Sequence, residues 1–302
     1  MLVHAPAKLN FFLELIKRRD DGFHELETVM LPVSLYDSLR FSKIDEPIVR
    51  LSGRFHLPRN YQQHVSKASD GLGDFWGEKN LVHRAAQLIL DRAGRQNGVS
   101  IELTKRIPAE AGLGGASSDA ATTLVALNRL LEVKMSGDDL QKLAEQLGSD
   151  VPFFLKNQPA VCTGRGEFVA PLRINTTFDV VICKPPVGLS TAKVYGNCKI
   201  PQEVSDSKEL QNSLMDGDAY NTGRKLRNRL EDFARPLTNW IEKLDYQFSQ
   251  LGSLGHQMSG SGTSYFGVFA NHKTALRAAK RLSSRLPTNF VFVGRTLAPR
   301  GS

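Results

Sequence analysis

The sequence predicts an α+β protein built from two domains. Long extended segments open the chain at residues 2–19 and 26–43, and helical periodicity appears from residue 80 onward. The second half follows the order β-α-β-β-α-β, which is typical of a ferredoxin-like domain. A chain of 302 residues is also long enough for two ordinary domains. We therefore expect one domain over residues 1–165 and a second over residues 166–302.

The first half begins with strands and a loop. Residues 2–19 and 26–43 are rich in β-branched and aromatic side chains, which favour extended structure. The sequence Asp-Asp-Gly at 20–22 supplies turn residues between the two segments. Residues 52–78 are polar and contain glycines without a clear period, so we expect a long loop or an insertion there.

Helices and one strand complete the first half. From Asn80 onward apolar residues recur every three or four positions, which predicts a helix. Residues 99–103 alternate between apolar and polar side chains, as in a half-buried strand. After a glycine-rich loop, a second helix is predicted over residues 117–131 and a third over residues 136–148.

The second half supplies the elements of the ferredoxin-like order. A turn sequence at 163–166 (Thr-Gly-Arg-Gly) marks the predicted domain boundary. The predicted elements are a strand at 178–183, two helices within 220–251 separated at Pro236, strands on either side of Gly260 and Gly262, a helix at 273–285 and a strand at 290–293.

The composition excludes several classes of protein. Hydrophobic residues make up 41% and charged residues 23% of the chain, which argues against a disordered or fibrous protein. Three cysteines are too few for a disulfide framework and indicate a reducing compartment. No apolar run approaches the ~20 residues of a membrane helix, and the N-terminal segment does not resemble a secretory signal. We therefore expect a cytoplasmic protein with no membrane partner.

The net charge of +8 is unevenly distributed along the chain. A positive charge of this size leaves a nucleic-acid partner open. Residues 251–302 contain seven Lys and Arg residues and no acidic residue, and most of the seven lie along one face of the helix predicted at 273–285. We expect this face to be a solvated outer surface; the alternative is a surface that attracts anionic nucleotides.

The segment at 108–118 (Pro-Ala-Glu-Ala-Gly-Leu-Gly-Gly-Ala-Ser-Ser) is the strongest functional signal. It lies between a predicted strand and a predicted helix, where unpaired N–H groups and the helix dipole favour a bound phosphate. Its glycines allow the backbone to approach such a ligand closely. The alternative is a turn that only ends the strand and caps the helix. The candidate phosphate-binding residues are Pro108, Ala109, Glu110, Ala111, Gly112, Leu113, Gly114, Gly115, Ala116, Ser117 and Ser118.

Two familiar phosphate loops do not fit this segment. A Walker A loop requires Gly-Lys followed by Ser or Thr, whereas Gly115 is followed by Ala116 and Ser117. A dinucleotide fingerprint requires glycine where Ser117 stands. Two further glycine-rich segments, at 164–167 and 258–264, fit a site that wraps an extended polyphosphate, although the first is more typical of a tight hairpin.

Lys8 and Asp150 are candidates for catalysis. Phosphoryl transfer requires neutralisation of developing charge and a group that accepts the hydroxyl proton. Lys8 lies within an apolar strand, where an unpaired ammonium would be costly, and Asp150 precedes an apolar run at an element boundary. From the pattern alone, Asp150 is equally well explained as a helix cap, and Lys8 as a side chain whose stem reaches solvent.

Together these segments resemble the GHMP kinases, the superfamily of galactokinase, homoserine kinase, mevalonate kinase and phosphomevalonate kinase. The resemblance rests on residues 5–10 (Ala-Pro-Ala-Lys-Leu-Asn), 108–118 and 258–262. Within this superfamily, residues 19–28 (Arg-Asp-Asp-Gly-Phe-His-Glu-Leu-Glu-Thr) and 148–154 (Gly-Ser-Asp-Val-Pro-Phe-Phe) are similar to segments typical of the 4-diphosphocytidyl-2-C-methyl-D-erythritol kinases.

The resemblance covers most of the chain in blocks and is poor over residues 52–78 and 197–253. Residues 164–167 (Gly-Arg-Gly-Glu) add to it. It implies the two-domain GHMP kinase fold, with an N-terminal ribosomal-protein-S5-like domain that binds ATP and a C-terminal ferredoxin-like domain that binds substrate.

The resemblance also implies a reaction. It indicates an ATP-dependent kinase of the non-mevalonate isoprenoid pathway that phosphorylates the 2-hydroxyl of 4-(cytidine 5'-diphospho)-2-C-methyl-D-erythritol. By match of position, Asp150 would accept the hydroxyl proton and Lys8 would stabilise the developing alkoxide. Residues 108–118 would bind the ATP phosphates together with Mg²⁺, with Ser118 as a ligand of the ion. Because a carboxylate beside a triphosphate is repulsive, Glu110 is predicted to point away or to help hold the metal.

The same match implies how the acceptor binds. His24 would hydrogen-bond the cytosine edge, and Phe23 and Tyr195 would supply aromatic faces around the base. Phe23 stands where tyrosine is usual, so stacking is retained while a phenol hydrogen bond is lost. The predicted acceptor-binding residues are Asn10, Phe23, His24, Tyr195 and Gly262.

Two alternatives remain open at this point. One is another GHMP kinase that acts on homoserine or mevalonate. The other is a basic RNA-binding protein on the same ribosomal-protein-like fold, although the sequence has no run of aromatic residues interleaved with Lys and Arg. For the kinase we expect only small-molecule partners, no nucleic acid, and a monomer or weak homodimer.

Overall fold

The computed structural model describes residues 1–66, 75–94 and 97–298. A long antiparallel hairpin organises the first of its two sheets, and it confirms the two extended segments predicted at the start of the chain. The strands of this sheet are β1 (Leu2–Arg18), β2 (His24–Ile44), β3 (Val49–Phe55), β4 (Gly98–Lys105), β5 (Ala160–Thr163), β6 (Phe168–Pro171) and β8 (Arg227–Asn228).

The sheet order is β3-β4-β2-β1-β8, with β5 also paired to β2 and β6 paired to β5. The edge of β2 that faces away from β1 is therefore divided between two partners: Ser38–Ile44 pairs with β4, and Thr28–Met30 pairs with β5. Residues 31–37 of β2 therefore pair with neither β4 nor β5, and the helix that follows the glycine-rich loop packs against β1 and β2.

The described residues of the first half form five helices, and the three that were predicted are confirmed. The apolar faces of the last four pack with strands β2 and β4 into one core that includes Leu39, Ile101, Leu124 and Leu147, whereas Tyr61 of the first helix packs in the core between the two sheets. The helices are α1 (Arg59–Ser66), α2 (Leu81–Arg92), α3 (Gly115–Leu130), α4 (Gly137–Leu147) and α5 (Val151–Lys156).

The loop predicted over residues 52–78 is wrong in part. Strand β3 continues to Phe55, and α1 occupies Arg59–Ser66; residues 67–74 lie outside the described part of the chain. Strand β3 lies at the edge of the sheet and is half exposed. An edge strand needs no apolar alternation, and its parallel pairing with β4 is a tertiary contact that the local sequence does not encode.

The second sheet confirms the ferredoxin-like prediction. Its order is β11-β7-β10-β9, and all its pairs are antiparallel. When β7, β9, β10 and β11 are numbered 1 to 4 in chain order, they lie side by side in the order 4-1-3-2. The elements are β7 (Asp179–Lys184), β9 (Gly255–Met258), β10 (Tyr265–Phe269), β11 (Phe290–Arg295) and helix α11 (His272–Arg285).

The prediction of two helices within residues 220–251 is wrong. The chain forms several short helices before β9, and β8 interrupts them by pairing in parallel with Phe12 and Leu13 of β1. Because this pairing joins residues that are far apart in the sequence, the local sequence of 220–251 does not indicate where the helices end. The helices between β7 and β9 are α6 (Thr191–Gly196), α7 (Lys208–Met215), α8 (Ala219–Arg224), α9 (Leu230–Ala234), a 3-10 turn (Arg235–Leu237) and α10 (Trp240–Ser249).

A shared apolar core joins the two sheets. Leu9 and Phe11 of β1 pack in one buried cluster with Ile182 of β7 and Phe266 of β10, and the Phe11 and Phe266 rings have centroids 5.3 Å apart. The turn at 164–167 is a hairpin that joins β5 to β6 within the first sheet. The sheets therefore do not change over at residue 165, and the division into domains 1–165 and 166–302 stays a prediction.

Helix α11 has the amphipathic pattern that its sequence predicts. Its inner face consists of Ala275, Ala278, Ala279 and Leu282, which are all buried. The basic residues Lys273, Arg277, Lys280, Arg281 and Arg285 are exposed on the opposite face. Among the described residues, no helix combines the length and the hydropathy that a membrane span requires.

Candidate active site

A cavity of about 1120 Å³ lies where the two sheets meet, and it collects most of the predicted site residues. The glycine-rich loop forms one wall. The hairpin turn after β5 and the start of helix α6 contribute to the opposite side. The predicted residues that line it are Lys8, Asn10, Phe23, His24, Asp150, Tyr195, Gly262 and all of 108–117.

The backbone of the glycine-rich loop turns its carbonyl groups into the protein. The carbonyl of Ala111 accepts a hydrogen bond from the Ser264 N–H (3.2 Å), and that of Leu113 accepts one from the Lys8 N–H (2.9 Å). The carbonyl of Gly112 accepts one from Ser259 Oγ (3.1 Å). Because three successive carbonyls are used in this way, the loop presents its N–H side to the cavity, as anion-binding nests do.

Glycine is required at two positions of this loop. Gly112 and Gly114 have φ of +70° and +69°, in the left-handed region. A Cβ on Gly112 would lie 2.0 Å from the carbonyl oxygen of Ser259, and one on Gly114 would lie 2.8 Å from the Phe154 ring. Side chains at these positions would push the loop away from its anchors and close the nest.

Helix α3 begins directly after the loop and adds its free N–H groups. Its first intrahelical hydrogen bond runs from the Ser118 N–H to the Gly114 carbonyl, so the N–H groups of residues 115–117 have no partner within the helix. These three residues line the cavity. A 16-residue helix with its N-terminus at this point is well placed to bind a phosphate.

Lys8 and Asp150 face each other across the cavity floor. The Nζ of Lys8 lies 3.6 Å from Oδ2 of Asp150 and donates a hydrogen bond to Oδ1 of Asn10. The Asn10 amide donates in turn to Oγ1 of Thr28 (2.9 Å). Asn10 therefore has both ends of its side chain engaged, one of them with the Lys8 ammonium.

The two structural explanations that the sequence left open do not hold. Lys8 is only 3% exposed, so its ammonium does not reach bulk solvent. Asp150 stands at the N-cap of α5 but makes no capping hydrogen bond, and its side chain is 36% exposed toward the cavity. A carboxylate that is not used as a cap and lies beside a fixed ammonium is available for chemistry.

His24, Tyr195 and Phe23 come together at another part of the same cavity. The rings of His24 and Tyr195 have centroids 5.6 Å apart. Phe23 is 51% exposed, and the guanidinium of Arg165 lies over its ring at 4.7 Å. Burial, together with the positive charge of Arg18, lowers the pKa of His24. Its neutral imidazole can therefore donate one hydrogen bond and accept another at neutral pH.

Comparison with known proteins agrees with this geometry. The family model for the GHMP kinases N terminal domain matches residues 80–158, and the GHMP kinases C terminal model matches residues 208–288. The chain is 35% identical to 4-diphosphocytidyl-2-C-methyl-D-erythritol kinase of Clostridium botulinum strain Hall over 271 residues, 89% of this chain and 91% of that protein. It is 38% identical to the enzyme of the same name from Syntrophotalea carbinolica over 281 residues, 93% and 94% of the two chains. The chain belongs to this family of GHMP kinases.

Solved structures agree with the assignment. A crystal structure of 4-(cytidine 5'-diphospho)-2C-methyl-D-erythritol kinase superposes with a TM-score of 0.78 at 34% identity and covers 98% of each chain. Homoserine kinase from Cytophaga hutchinsonii superposes with a TM-score of 0.73 at 21% identity, over 99% of this chain and 94% of that one, and shows the shared fold. The predicted two-domain GHMP kinase fold is thus confirmed.

Ser118 is the one residue of the predicted site that this kinase does not bring to the cavity. It is completely buried, and its Oγ has no hydrogen-bond partner among the described residues. Since α3 begins at Gly115, the Ser118 side chain faces the protein interior, while Ser117 lines the cavity. Ser117, rather than Ser118, is in position to meet a bound ion.

Mg²⁺ suits the oxygen donors of this cavity. The described residues contain no cluster of three or more His, Cys, Asp or Glu arranged to hold a metal. Mg²⁺, however, usually keeps several waters and takes one or two protein oxygens together with substrate phosphates. Ser117 and Asp150 line the cavity and offer such oxygens, which fits an ion that enters with a nucleotide.

Glu110 turns toward the segment after β7, in agreement with the prediction that it points away from the phosphates. Its Oε2 lies so close to Gly188 that a Cβ on that glycine would be 2.2 Å away. Glu110 has φ of +49°, and this backbone conformation directs its side chain out of the loop. The carboxylate therefore contacts the neighbouring wall of the cavity.

Sequence reasoning missed a buried charged trio beneath the start of α3. The ammonium of Lys105 donates hydrogen bonds to Asp37 and to Asp119 (2.6 Å for the latter). Burial opposes this ammonium, but the carboxylates of Asp119 and Asp37 outweigh it and raise the pKa of Lys105. Burial also raises the pKa of Asp119, against the pull of Lys105.

The trio ties the glycine-rich loop to the sheet. Asp37 also accepts hydrogen bonds from the backbone N–H groups of Arg106 and Ile107, the latter at 2.9 Å. The sequence of β4 contains a signal for this trio. Lys105 stands two residues after Leu103 and four after Ile101, so it lies on the same buried face of the strand. A charged residue in the buried phase of a strand requires a buried partner.

Phe75 is a second residue that the sequence did not indicate. It lines the cavity, although it lies in the segment predicted as a loop. Its ring packs edge-on against Trp76, with centroids 4.8 Å apart, and lies 4.9 Å from the Phe55 ring at the end of β3. These aromatic contacts fix Phe75 at the wall and depend on β3, which was also missed.

Proposed function

We propose that this kinase transfers the γ-phosphoryl group of ATP to the 2-hydroxyl of 4-(cytidine 5'-diphospho)-2-C-methyl-D-erythritol, with Asp150 as general base and Lys8 as the stabilising cation. One observation carries the assignment of roles. The Lys8–Asp150 pair, 3.6 Å apart, lies in the same cavity as a glycine-rich loop whose carbonyls at residues 111–113 are hydrogen-bonded to the rest of the protein.

The glycine-rich loop binds the donor. The N–H groups of residues 115–117 and the N-terminus of α3 provide a positive field at one end of the cavity. Triphosphate oxygens accept hydrogen bonds from these groups, and the reaction gains because the donors are already oriented. Phe75 offers an aromatic face to a nucleotide base at the same cavity.

Asp150 and Lys8 act on the acceptor hydroxyl. As the hydroxyl oxygen attacks the γ-phosphorus, its proton passes to a carboxylate oxygen of Asp150 and the bond to ADP breaks. Lys8 stabilises negative charge on the attacking oxygen, since Asn10 holds its ammonium beside Asp150. The proton leaves Asp150 for solvent after the product departs.

Mg²⁺ would neutralise charge on the β- and γ-phosphates when it is bound. Ser117 would hold it together with phosphate oxygens and water. This chain's own contribution at that point is the set of oxygen donors on the loop and at Asp150.

His24, Tyr195 and Phe23 bind the cytidine end of the acceptor. A neutral His24 both donates and accepts a hydrogen bond, as the cytosine edge requires. Phe23 exposes a face for stacking, and Arg165 on its other face adds a positive charge near the acceptor's diphosphate. Gly262 completes the wall without a side chain.

The cellular setting that we propose is the cytoplasm, with the protein as a monomer or weak homodimer. All three cysteines are free thiols, and Cys162 and Cys183 are buried. This pattern is expected of a protein that never meets an oxidising compartment.

A substrate comparison tests the proposal. ADP release would be followed with the cytidine-linked methylerythritol, with homoserine and with mevalonate at equal concentrations. We expect turnover with the first acceptor that exceeds the other two by at least 100-fold. Equal or greater turnover with homoserine or mevalonate would overturn the proposal and favour the corresponding GHMP kinase.

A further inference from the structure

A buried lysine at the end of β7 is used by none of the steps above. Lys184 is 1% exposed and does not line the cavity. Its Nζ donates a hydrogen bond to the carbonyl of Pro185 at 3.0 Å and another to the carbonyl of Val187. The ammonium therefore binds the backbone of the segment that follows it, which we name the bridge segment, residues 185–189.

The bridge segment leads into the acceptor side of the cavity. It connects β7 to α6, and cavity-lining residues begin at Leu189 and continue through Ser190 and Thr191 to Tyr195. We name the lining residues within 189–195 the acceptor wall. The bridge segment is the covalent link between β7 of the second sheet and α6. Its position therefore sets the position of the acceptor wall.

Thr263 contacts the same point of the bridge segment. Its Oγ1 donates a hydrogen bond to the Val187 carbonyl at 2.6 Å, so this carbonyl accepts from both Thr263 and Lys184. Further along, Oγ1 of Thr191 lies 2.8 Å from Oγ of Ser261. The bridge segment and the start of α6 are thus bonded to the loop at 258–264.

The ATP-binding loop contacts the bridge segment from the other direction. Oε2 of Glu110 lies against Gly188, so close that a Cβ at this position would be 2.2 Å from it. The 258–264 loop also contacts the ATP-binding loop, through the Ser264 N–H and Ser259 Oγ. Three segments that line the cavity therefore meet at residues 187 and 188.

We propose that Lys184 is a positioning residue, which holds the bridge segment so that the acceptor wall lies at the correct distance from the ATP-binding loop. This inference rests on the proposed function for the identity of the acceptor. Lys184 contacts neither ligand; it acts through the carbonyls of Pro185 and Val187. Charge-assisted hydrogen bonds are the stronger class, so an ammonium holds two carbonyls better than a neutral side chain would.

The chemistry of the site fits a buried amine that serves as a hydrogen-bond donor. Burial lowers the pKa of Lys184 to about 7, and the negative charge of Glu110 works in the opposite direction. The amine has N–H groups to donate to the two carbonyls in either protonation state, and a polar group buried at such a cost requires these hydrogen bonds. Glu110 belongs to the ATP-binding loop, so its interaction with Lys184 also connects the donor side to the bridge segment.

Lys184→Met tests the proposal, because methionine fills a similar volume and removes the hydrogen bonds. We expect the KM for the acceptor to rise about tenfold and kcat to fall three- to tenfold, while the KM for ATP stays within twofold. The matched control is Lys199→Met, which removes one positive charge from an exposed site shortly after α6. It is expected to change none of these constants more than twofold.

Hydrogen exchange of the unliganded protein provides a test that is independent of substrate identity. In Lys184→Met, amides of residues 187–196 should exchange at least tenfold faster, while amides of 111–117 keep the wild-type rate. Thr263→Val should accelerate the same amides to a smaller extent. If the wild type showed no turnover with the cytidine-linked acceptor, the proposed function would fail, and this exchange pattern would still decide the role of Lys184.

Two results would overturn the inference. One is an unchanged exchange rate at 187–196 in Lys184→Met. The other is an equal rise of both KM values, which would mean that the substitution perturbs the whole cavity rather than the acceptor wall.

Discussion

Lys8 Nζ lies 3.6 Å from Asp150 Oδ2, and the lysine is buried while the aspartate faces the cavity. The two residues come from distant parts of the chain: β1 carries the first, and the turn before α5 carries the second. The separation is too long for a hydrogen bond and short enough for a strong Coulomb interaction. A hydroxyl placed beside both groups can lose its proton to one and have its charge stabilised by the other.

Asp150→Asn is predicted to lower kcat by about 10²- to 10⁴-fold, the range expected for loss of a general base. The amide has the same size as the carboxylate but cannot accept the proton, so the KM for either substrate should change by less than threefold. Initial rates of ADP release at saturating substrates measure this effect. Asp138→Asn, at an exposed site at the start of α4, is the control and should retain wild-type turnover. Near-normal kcat in Asp150→Asn would mean that the base is another group.

Lys8→Met is predicted to lower kcat by about 10²-fold, since the developing oxyanion loses its cation. The double variant with Asp150→Asn should be no slower than the slower single variant, because residues that act as one unit give non-additive losses. Rates of the two single variants and the double variant, measured under one condition, make this comparison. Losses that multiply would show that the two residues act in separate steps.

Lys105→Met is predicted to lower the free energy of unfolding by about 3–5 kcal/mol, because removal of one partner leaves buried carboxylates without a counter-charge. Lys105 is 3% exposed, and Asp37 is fully buried. Urea unfolding at neutral pH measures the change. Lys142→Met removes an exposed lysine that lies 4.0 Å from Asp139, and it should cost less than about 1 kcal/mol. A loss below about 1 kcal/mol in Lys105→Met would show that the trio does not depend on its cation.

The sequence predicts the strongly periodic parts of the fold and the backbone-defined part of the site. The central strands β7 and β10 of the ferredoxin-like sheet are short apolar runs that are buried almost throughout. The glycine-rich loop is recognisable in the sequence because Gly112 and Gly114 have conformations that other residues rarely adopt. The N-cap of α4 is likewise local, since Ser136 Oγ accepts a hydrogen bond from the Asp139 N–H. Features fixed within a few residues of sequence are predictable.

Features that depend on contacts between distant parts of the chain cannot be predicted from the local sequence. Strand β8 consists of two residues and exists because Arg227 and Asn228 pair with β1. Glu14, a fully buried carboxylate of β1, binds Arg227 within β8 and Arg229 directly after it: Arg227 Nε lies at 2.8 Å and Arg229 Nε at 2.6 Å. Periodicity over 220–251 suggests uninterrupted helices because the partner that interrupts them is more than 200 residues away.

The same limit applies to side chains at the site. Ser117 and Ser118 are neighbours of the same type, and only the starting point of α3 decides which one faces the cavity. Phe75 reaches the cavity through aromatic contacts with β3 that no local pattern reveals. Lys105 could have been found, because its place in the buried phase of β4 is a sequence property.

Phe23→Leu is predicted to raise the KM for the cytidine-linked acceptor about 5- to 100-fold, since base–aromatic stacking contributes about 1–3 kcal/mol. Phe23→Tyr keeps the aromatic face and should stay within threefold of the wild type. The KM for ATP, measured in parallel, should not change in either variant. If leucine at position 23 supported a normal acceptor KM, the base would not stack on this ring.

Lys184 gives a prediction about stability and pH. Its pKa is about 7 in the folded protein and about 10.5 in the unfolded chain. Between these values the unfolded chain binds a proton that the folded protein lacks, so the free energy of unfolding rises with pH through this window. Two other titratable groups lie in this region: Cys183, next to Lys184 in the sequence, and Tyr61, which also interacts electrostatically with Glu110. Burial raises the pKa of both, that of Cys183 to about 12. Neither therefore titrates below pH 9.

Urea unfolding at pH 7.0 and 8.5 measures the effect as a difference between wild type and Lys184→Met. From the two pKa values, the wild type should gain about 1–2 kcal/mol more than the variant over this interval. Lys199→Met, which removes an exposed lysine, should follow the wild type at both pH values. Parallel pH dependence in the wild type and Lys184→Met would show that Lys184 stays fully charged throughout, because a group that does not titrate in the folded protein contributes no difference in bound protons.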